Sequence, residues 1–142
     1  MALDFTIGGV AANSYVSQAA ASSYFAGRLD TAEWTAASSA DKDAALMMAT
    51  ARLETETYQG SRVFVDQRLS WPRHGTYDRD DVLLSSTTIP LLMQHATFEY
   101  ALALLKEPTQ FGDTGLEGFE NVKIGSLDVT QEIGRASCRE RV

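Results

Sequence analysis

Five arginines, Arg52, Arg62, Arg68, Arg73 and Arg79, alternate with Tyr58, Phe64, Trp71 and Tyr77 through the middle of the chain. Guanidinium groups follow a phosphate backbone and aromatic rings stack bases, so this pairing of residue types suits a single-strand binding surface. The same types dominate protein–protein hot spots. A third use is structural, with Trp71 packed inward and Arg73 paired to a carboxylate. Glu54, Glu56, Asp66 and Asp78 fall in the same window and leave it only weakly basic. Arg62, Arg68, Trp71 and Arg73 are the candidate contacts for a partner or a nucleic acid.

Other chemistry finds little support. His74 and His95 are the only histidines, and a zinc site needs three or four converging ligands. The acidic run Asp78-Arg79-Asp80-Asp81 lacks the central glycine and terminal glutamate of a calcium loop. The glycines at 112, 115 and 118 come without the lysine of a phosphate loop or a G-x-G start. No G-x-S-x-G elbow precedes a serine. Glu54 and Glu56, two residues apart, do not share a helix face. The sequence therefore predicts no catalytic residue, no metal and no cofactor, and the chain is not read as an enzyme.

Charge bears on the partner. The 142 residues carry twelve Lys and Arg against nineteen Asp and Glu, a net charge of −7. That balance opposes tight non-specific binding to phosphates, which depends on surplus cations. With 44% hydrophobic residues the chain is long enough for one ordinary core. No apolar run approaches the roughly 20 residues of a membrane span, and the start lacks the order of a signal peptide, so a cytoplasmic origin without a membrane is expected. The arginine-rich segment 132–142 breaks abruptly from what precedes it, and one reverse translation resembles a sequencing adapter read in frame. On that reading 1–131 is a single domain, and 132–142, which holds the only cysteine, Cys138, is extraneous.

The candidate contacts must be held by the elements around them. An extended lead-in over 1–16 is followed by Ser17, placed to cap a short helix ending at Gly27. Residues 31–37 add helical turns anchored by Trp34. Ser38 or Ser39 then caps a longer helix to about Glu56, with Leu46, Ala49, Thr50 and Leu53 on its inner face and Gly60 to end it. Pro72, Gly75 and several aspartates interrupt 61–88, which reads as a long, partly ordered loop. Pro90 opens a helix to about Lys106, whose apolar stripe is Leu91, Leu92, His95, Phe98, Leu102 and Leu105, with His95 a half-buried core residue. Beyond the glycine-rich stretch, Val122, Ile124, Leu127 and Val129 repeat with a period near two, shifted at Gly125-Ser126. The expected fold is mainly α: a small helical bundle of three to four helices with a long central loop and a C-terminal β-strand or hairpin.

Several stretches together resemble a family of small tailed-phage and prophage proteins: Ala12-Asn13-Ser14-Tyr15-Val16-Ser17, Tyr24-Phe25-Ala26, Trp34-Thr35-Ala36-Ala37-Ser38, Gln67-Arg68-Leu69-Ser70-Trp71-Pro72-Arg73, Ile89-Pro90 and Val122-Lys123-Ile124-Gly125-Ser126-Leu127. The family is described as DnaT-like single-stranded DNA-binding proteins and is similar to head–tail connectors. The connector resemblance implies a homo-oligomeric ring in the virion neck, assembled in the bacterial cytoplasm. Its partners are the portal protein and other neck and tail proteins, and DNA passes through the ring. The acidity favours this structural role over the strand-binding alternative, and the length of the 61–88 loop and the few local partners of the 119–130 strand mark those two segments as the expected contact surfaces. One departure from the family pattern is Ala20, where a glutamate would complete a capping box with Ser17.

Overall fold

The computed structural model describes residues 2–108 in full and the backbone of residues 121–124, 127–132 and 135–140. In the first unit, helices α1 (Gln18–Ala26), α2 (Ala32–Ala36) and α3 (Ser39–Leu53) precede β1 (Ser61–Arg62), β2 (Arg73–His74) and helix α4 (Leu91–Lys106). Strands β1 and β2 are antiparallel, with Ser61 opposite His74 and Arg62 opposite Arg73.

The helix starts follow the capping signals. The Ser17 hydroxyl accepts the Ala20 N–H at 3.1 Å, and the Ser38 hydroxyl accepts the Asp41 N–H at 3.1 Å. Each satisfies one backbone donor that has no partner within its helix. Asp41 also places negative charge at the positive end of α3. Helix α3 stops at Leu53, short of the expected end, because the chain tightens there: Thr55 N–H bonds Arg52 O and Glu56 N–H bonds Leu53 O, each at 3.2 Å. Gly60 serves another purpose. It has φ +72°, and a Cβ there would collide with the His74 carbonyl oxygen, so only glycine allows the chain to close on β2.

The core lies between α3 and α4, which pack together. Ala45, Leu46, Ala49, Thr50 and Leu53 are buried on α3, the face expected from their spacing. Small alanines let the two backbones approach, and the buried Thr50 and Thr97 hydroxyls donate to Leu46 O at 2.9 Å and Met93 O at 2.8 Å. Around one end of α4, Tyr24, Phe25, Trp34, His95 and Phe98 form an aromatic cluster, with Tyr24 and Phe98 stacked at 4.9 Å. His95 is half-buried there, its ring 4.9 Å from that of Tyr24.

Three expectations need correction. The inner face of α4 is Met93, Thr97, Phe98, Ala101, Leu102 and Leu104, whereas Leu91 and Leu92 are 64% and 75% exposed. The three consecutive apolar residues Leu91, Leu92 and Met93 point in different directions on a helix, and the packing selects Met93. The centre of the 61–88 segment is part of the core rather than an open loop, because Gln67, Leu69, Ser70, Trp71, Pro72 and Thr76 are buried, whereas no residue from 77 to 88 is. A regular bundle does not form, since α1 and α2 are short and much of the core is closed by Ala12, Tyr15, Val16, Leu69, Trp71 and Ile89, none of them helical.

The second unit is an antiparallel sheet in the order β3 (Asn121–Ile124), β4 (Leu127–Glu132), β5 (Arg135–Glu140), with Val122 opposite Val129 and Val129 opposite Cys138. Strand β5 lies inside the 132–142 segment that the sequence sets apart. The glycine-rich stretch at 112–118 and the Gly125-Ser126 interruption lie outside the described residues. Among the described residues, no helix is long and apolar enough to cross a membrane.

Candidate functional site

The segment from Glu54 to Pro90 is fastened by three polar side chains. The Glu54 carboxylate accepts the Tyr15 hydroxyl, the Ser70 N–H at 3.0 and 3.1 Å, and the Ser70 hydroxyl at 2.9 Å, joining the N-terminal segment and the loop to the end of α3. Gln67 is buried. Its Oε1 accepts the Phe64 N–H at 3.0 Å, and its Nε2 donates to Leu69 O at 2.8 Å and Pro72 O at 3.0 Å. Arg73 donates from Nε to Gln59 O at 2.6 Å, from Nη2 to Gly60 O at 2.7 Å and from Nη1 to Ser70 O at 3.2 Å.

Two phenols feel this environment. Burial raises the Tyr15 pKa far above its ordinary value, reinforced by its hydrogen bond to Glu54 and that residue's charge. Partial burial, then the charges of Glu54 and Glu56, push Tyr58 up to about 12, and its hydroxyl donates to Leu53 O at 2.7 Å.

The four candidate contacts therefore separate. Arg73 and Trp71 belong to the framework: the first is spent on carbonyl oxygens, and the second is 6% exposed, with its ring edge-on to Tyr58 at 5.5 Å. Arg62 and Arg68 remain exposed on the outward part of the loop. Between them the exposed Phe64 lies against the Gly8 turn, where φ is +70° and a Cβ would come within 2.5 Å of the phenyl ring. The backbone N–H of Arg68 donates to Gly9 O at 3.2 Å, which holds that turn in place. Of the other window arginines, Arg52 pairs with Glu56 at 2.8 Å, while Arg79 is highly exposed and only loosely paired with Asp80 at 3.9 Å.

A second feature was not evident in the sequence. A groove of about 540 Å³ runs along Tyr58, Trp71, Thr76, Tyr77 and the first residues of α4, Leu91 and Leu92. Tyr77 is 53% exposed and pairs across a single β-bridge with Leu83. Tyr77 and Arg79 belong to the arginine–aromatic pattern, but Leu91 and Leu92 were expected in the core, and nothing about Thr76 singled it out. Among the described residues, no cluster of three or more His, Cys, Asp and Glu is placed to hold a metal ion.

The chain matches the family described as "Putative DnaT-like ssDNA binding protein" over residues 1–138. That description is of a binding protein, not an enzyme, and it names no connector. No curated protein and no solved structure matches the chain.

Proposed function

The chain belongs to the DnaT-like ssDNA binding family, and on that premise we propose that it binds single-stranded DNA at the outward part of the 61–74 loop. The observation that carries this reading is the exposure of Arg62 and Arg68 on either side of the exposed ring of Phe64. The arginines contact phosphates and the ring stacks a base. Because the protein carries −7 overall, cations supply little of the affinity, and stacking supplies more.

This gives the binding a recognisable salt dependence. For single strands, log K falls by roughly 0.7 per phosphate contact for each unit of log salt concentration, so two arginine contacts give a shallow slope of about −1.4. Fluorescence anisotropy with a short labelled oligonucleotide tests it. Arg62→Ala and Arg68→Ala should each flatten the slope by roughly 0.7, and Phe64→Ala should weaken binding without changing it. Binding that ignores all three substitutions, or no binding of single strands, overturns the reading.

A second reading is favoured by one observation, the net acidity. In it the protein is a ring-forming connector between the portal and the tail, and its negative surface lets packaged DNA slide through. Disrupting the gene in a phage would then leave filled heads and separate tails. Failed DNA replication with normal joining would support strand binding instead.

A further inference from the structure

The groove beside α4 differs from the outward loop in carrying two unanswered polar atoms. Among the described residues, three buried side-chain polar atoms have no hydrogen-bond partner: Glu33 Oε2, Trp71 Nε1 and Thr76 Oγ1. The last two belong to residues that line this one groove. Both residues are deeply buried, Trp71 at 6% and Thr76 at 2% exposure. An indole N–H can only donate, so the partner missing from Trp71 is an acceptor, and the threonine hydroxyl can serve either role. Of the rest of the lining, Tyr58, Tyr77, Leu84, Leu91 and Leu92 offer flat or aliphatic surfaces, and Asp78 and Arg79 add one charge of each sign. A volume of about 540 Å³ falls in the range of small-molecule sites.

We propose that this groove seats one nucleobase of a bound strand, its ring faces against the tyrosine and leucine walls and an acceptor on its edge taking the Trp71 N–H. A base has both properties the groove asks for, an apolar face and hydrogen-bonding atoms confined to its edge. Neither polar atom is reached by water in the free protein, so the base enters by displacing the lining, of which the half-exposed Tyr77 and the exposed leucines of α4 form the outer part. The outward loop is near. Arg62 lies directly across the ladder from Arg73, and Arg73 is three residues before Thr76, at most about 10 Å of extended chain. A strand held at Arg62 can therefore place a neighbouring base in the groove.

This inference rests on the strand-binding reading, and the test separates the two. Affinities are measured for a short base-bearing oligonucleotide and for a deoxyribose-phosphate chain of equal length without bases, using wild type, Trp71→Phe and Thr76→Val. Thermal melts of the free proteins are recorded in parallel. The wild type should prefer the base-bearing strand roughly tenfold or more. The two variants remove atoms that bond to nothing in the free protein, so Thr76→Val should melt no lower than wild type, yet both should lose several-fold in affinity for the base-bearing strand and none for the abasic one. Equal wild-type affinity for the two strands overturns both the groove and the stacking on Phe64, whereas variants that bind like wild type, with the wild-type preference for bases intact, overturn the groove as a base site and leave strand binding standing. Binding of an apolar peptide there with no base preference overturns it too. If neither strand binds, the strand-binding reading itself fails, and the groove assignment falls with it.

Discussion

The α3–α4 pair and the segment from Glu54 to Pro90 both enclose buried side chains, but they are held by different forces. The helices are closed by apolar residues recurring at helical spacing, with Leu46, Ala49 and Leu53 on one and Phe98, Ala101 and Leu102 on the other. Their backbone hydrogen bonds are made locally, and hydrophobic burial, which has no direction, brings them together. The segment has few backbone bonds of its own beyond the two-residue ladder and a bridge. Glu54, Gln67 and Arg73 instead supply donors and acceptors to its N–H and carbonyl groups. An apolar face tolerates small changes of shape, whereas a cross-link of this kind depends on particular atoms.

The largest effect should come from the first region. Leu102 is buried on α4, so Leu102→Ala removes apolar contact and leaves a cavity, at a cost of roughly 2 to 5 kcal/mol. A loss below about half a kcal/mol in denaturant melts would show that this face is not the core. The second region should be nearly as sensitive at one carboxylate. Glu54→Ala leaves the Ser70 N–H and the Tyr15 hydroxyl without their acceptor, a cost of about 2 kcal/mol for a half-buried site. Glu54→Gln keeps one acceptor and should cost about half as much. If Glu54→Ala were no worse than Glu54→Gln, the polar cross-link would not be what fastens the segment.

Alkaline pH should separate the regions again. The folded pKa of Tyr15 is raised far above the unfolded value, and that of Tyr58 is pushed up to about 12. The folded state then holds these protons more tightly than the unfolded chain, so the unfolded chain ionises first. Their contribution is intact below about pH 10, the ordinary phenol value, and is lost progressively as pH rises above it. Stability measured from pH 8 to 12 should fall above 10, and Tyr15→Phe should reduce that fall while lowering the plateau. A profile unchanged by Tyr15→Phe would mean that the buried phenol is not coupled to folding.

How much was legible in the sequence follows the same division. Ser17, Ser38, Trp34 and the face of α3 could be read because caps and 3.6-residue spacing are local signals. The buried centre of the 61–88 segment could not, since its carbonyl groups are satisfied by Arg73 and Gln67, and nothing in the spacing of those residues says which carbonyls they meet. Arg73 was noticed for its charge and turned out to be spent on Gln59, Gly60 and Ser70. Of the candidate site, the alternation of Arg62 and Arg68 with Phe64 was legible, but not that these two arginines, unlike Arg73, stay exposed. The groove was not, because it depends on Leu91 and Leu92 facing outward, and an apolar stripe at the start of a helix reads as core.

That outward turn sets the smallest effect, which compares two leucines on the same helix. Leu92 sits in the first turn of α4 at 75% exposure, and Leu102 two to three turns later at 2%. Substituting Leu92 by alanine removes little buried surface, and alanine is the better helix former by a small margin. Leu92→Ala should therefore stay within about half a kcal/mol of wild type, in contrast to the kilocalories lost at Leu102. The pair is measured by denaturant melts under one set of conditions, where the slope of each transition reports whether the same surface unfolds. Equal losses at the two positions would restore the apolar stripe as the sequence implies it, and would fill the groove with side chains that belong to the core. A neutral Leu92→Ala leaves an exposed leucine on the groove wall that the fold does not need, which a ligand can then use.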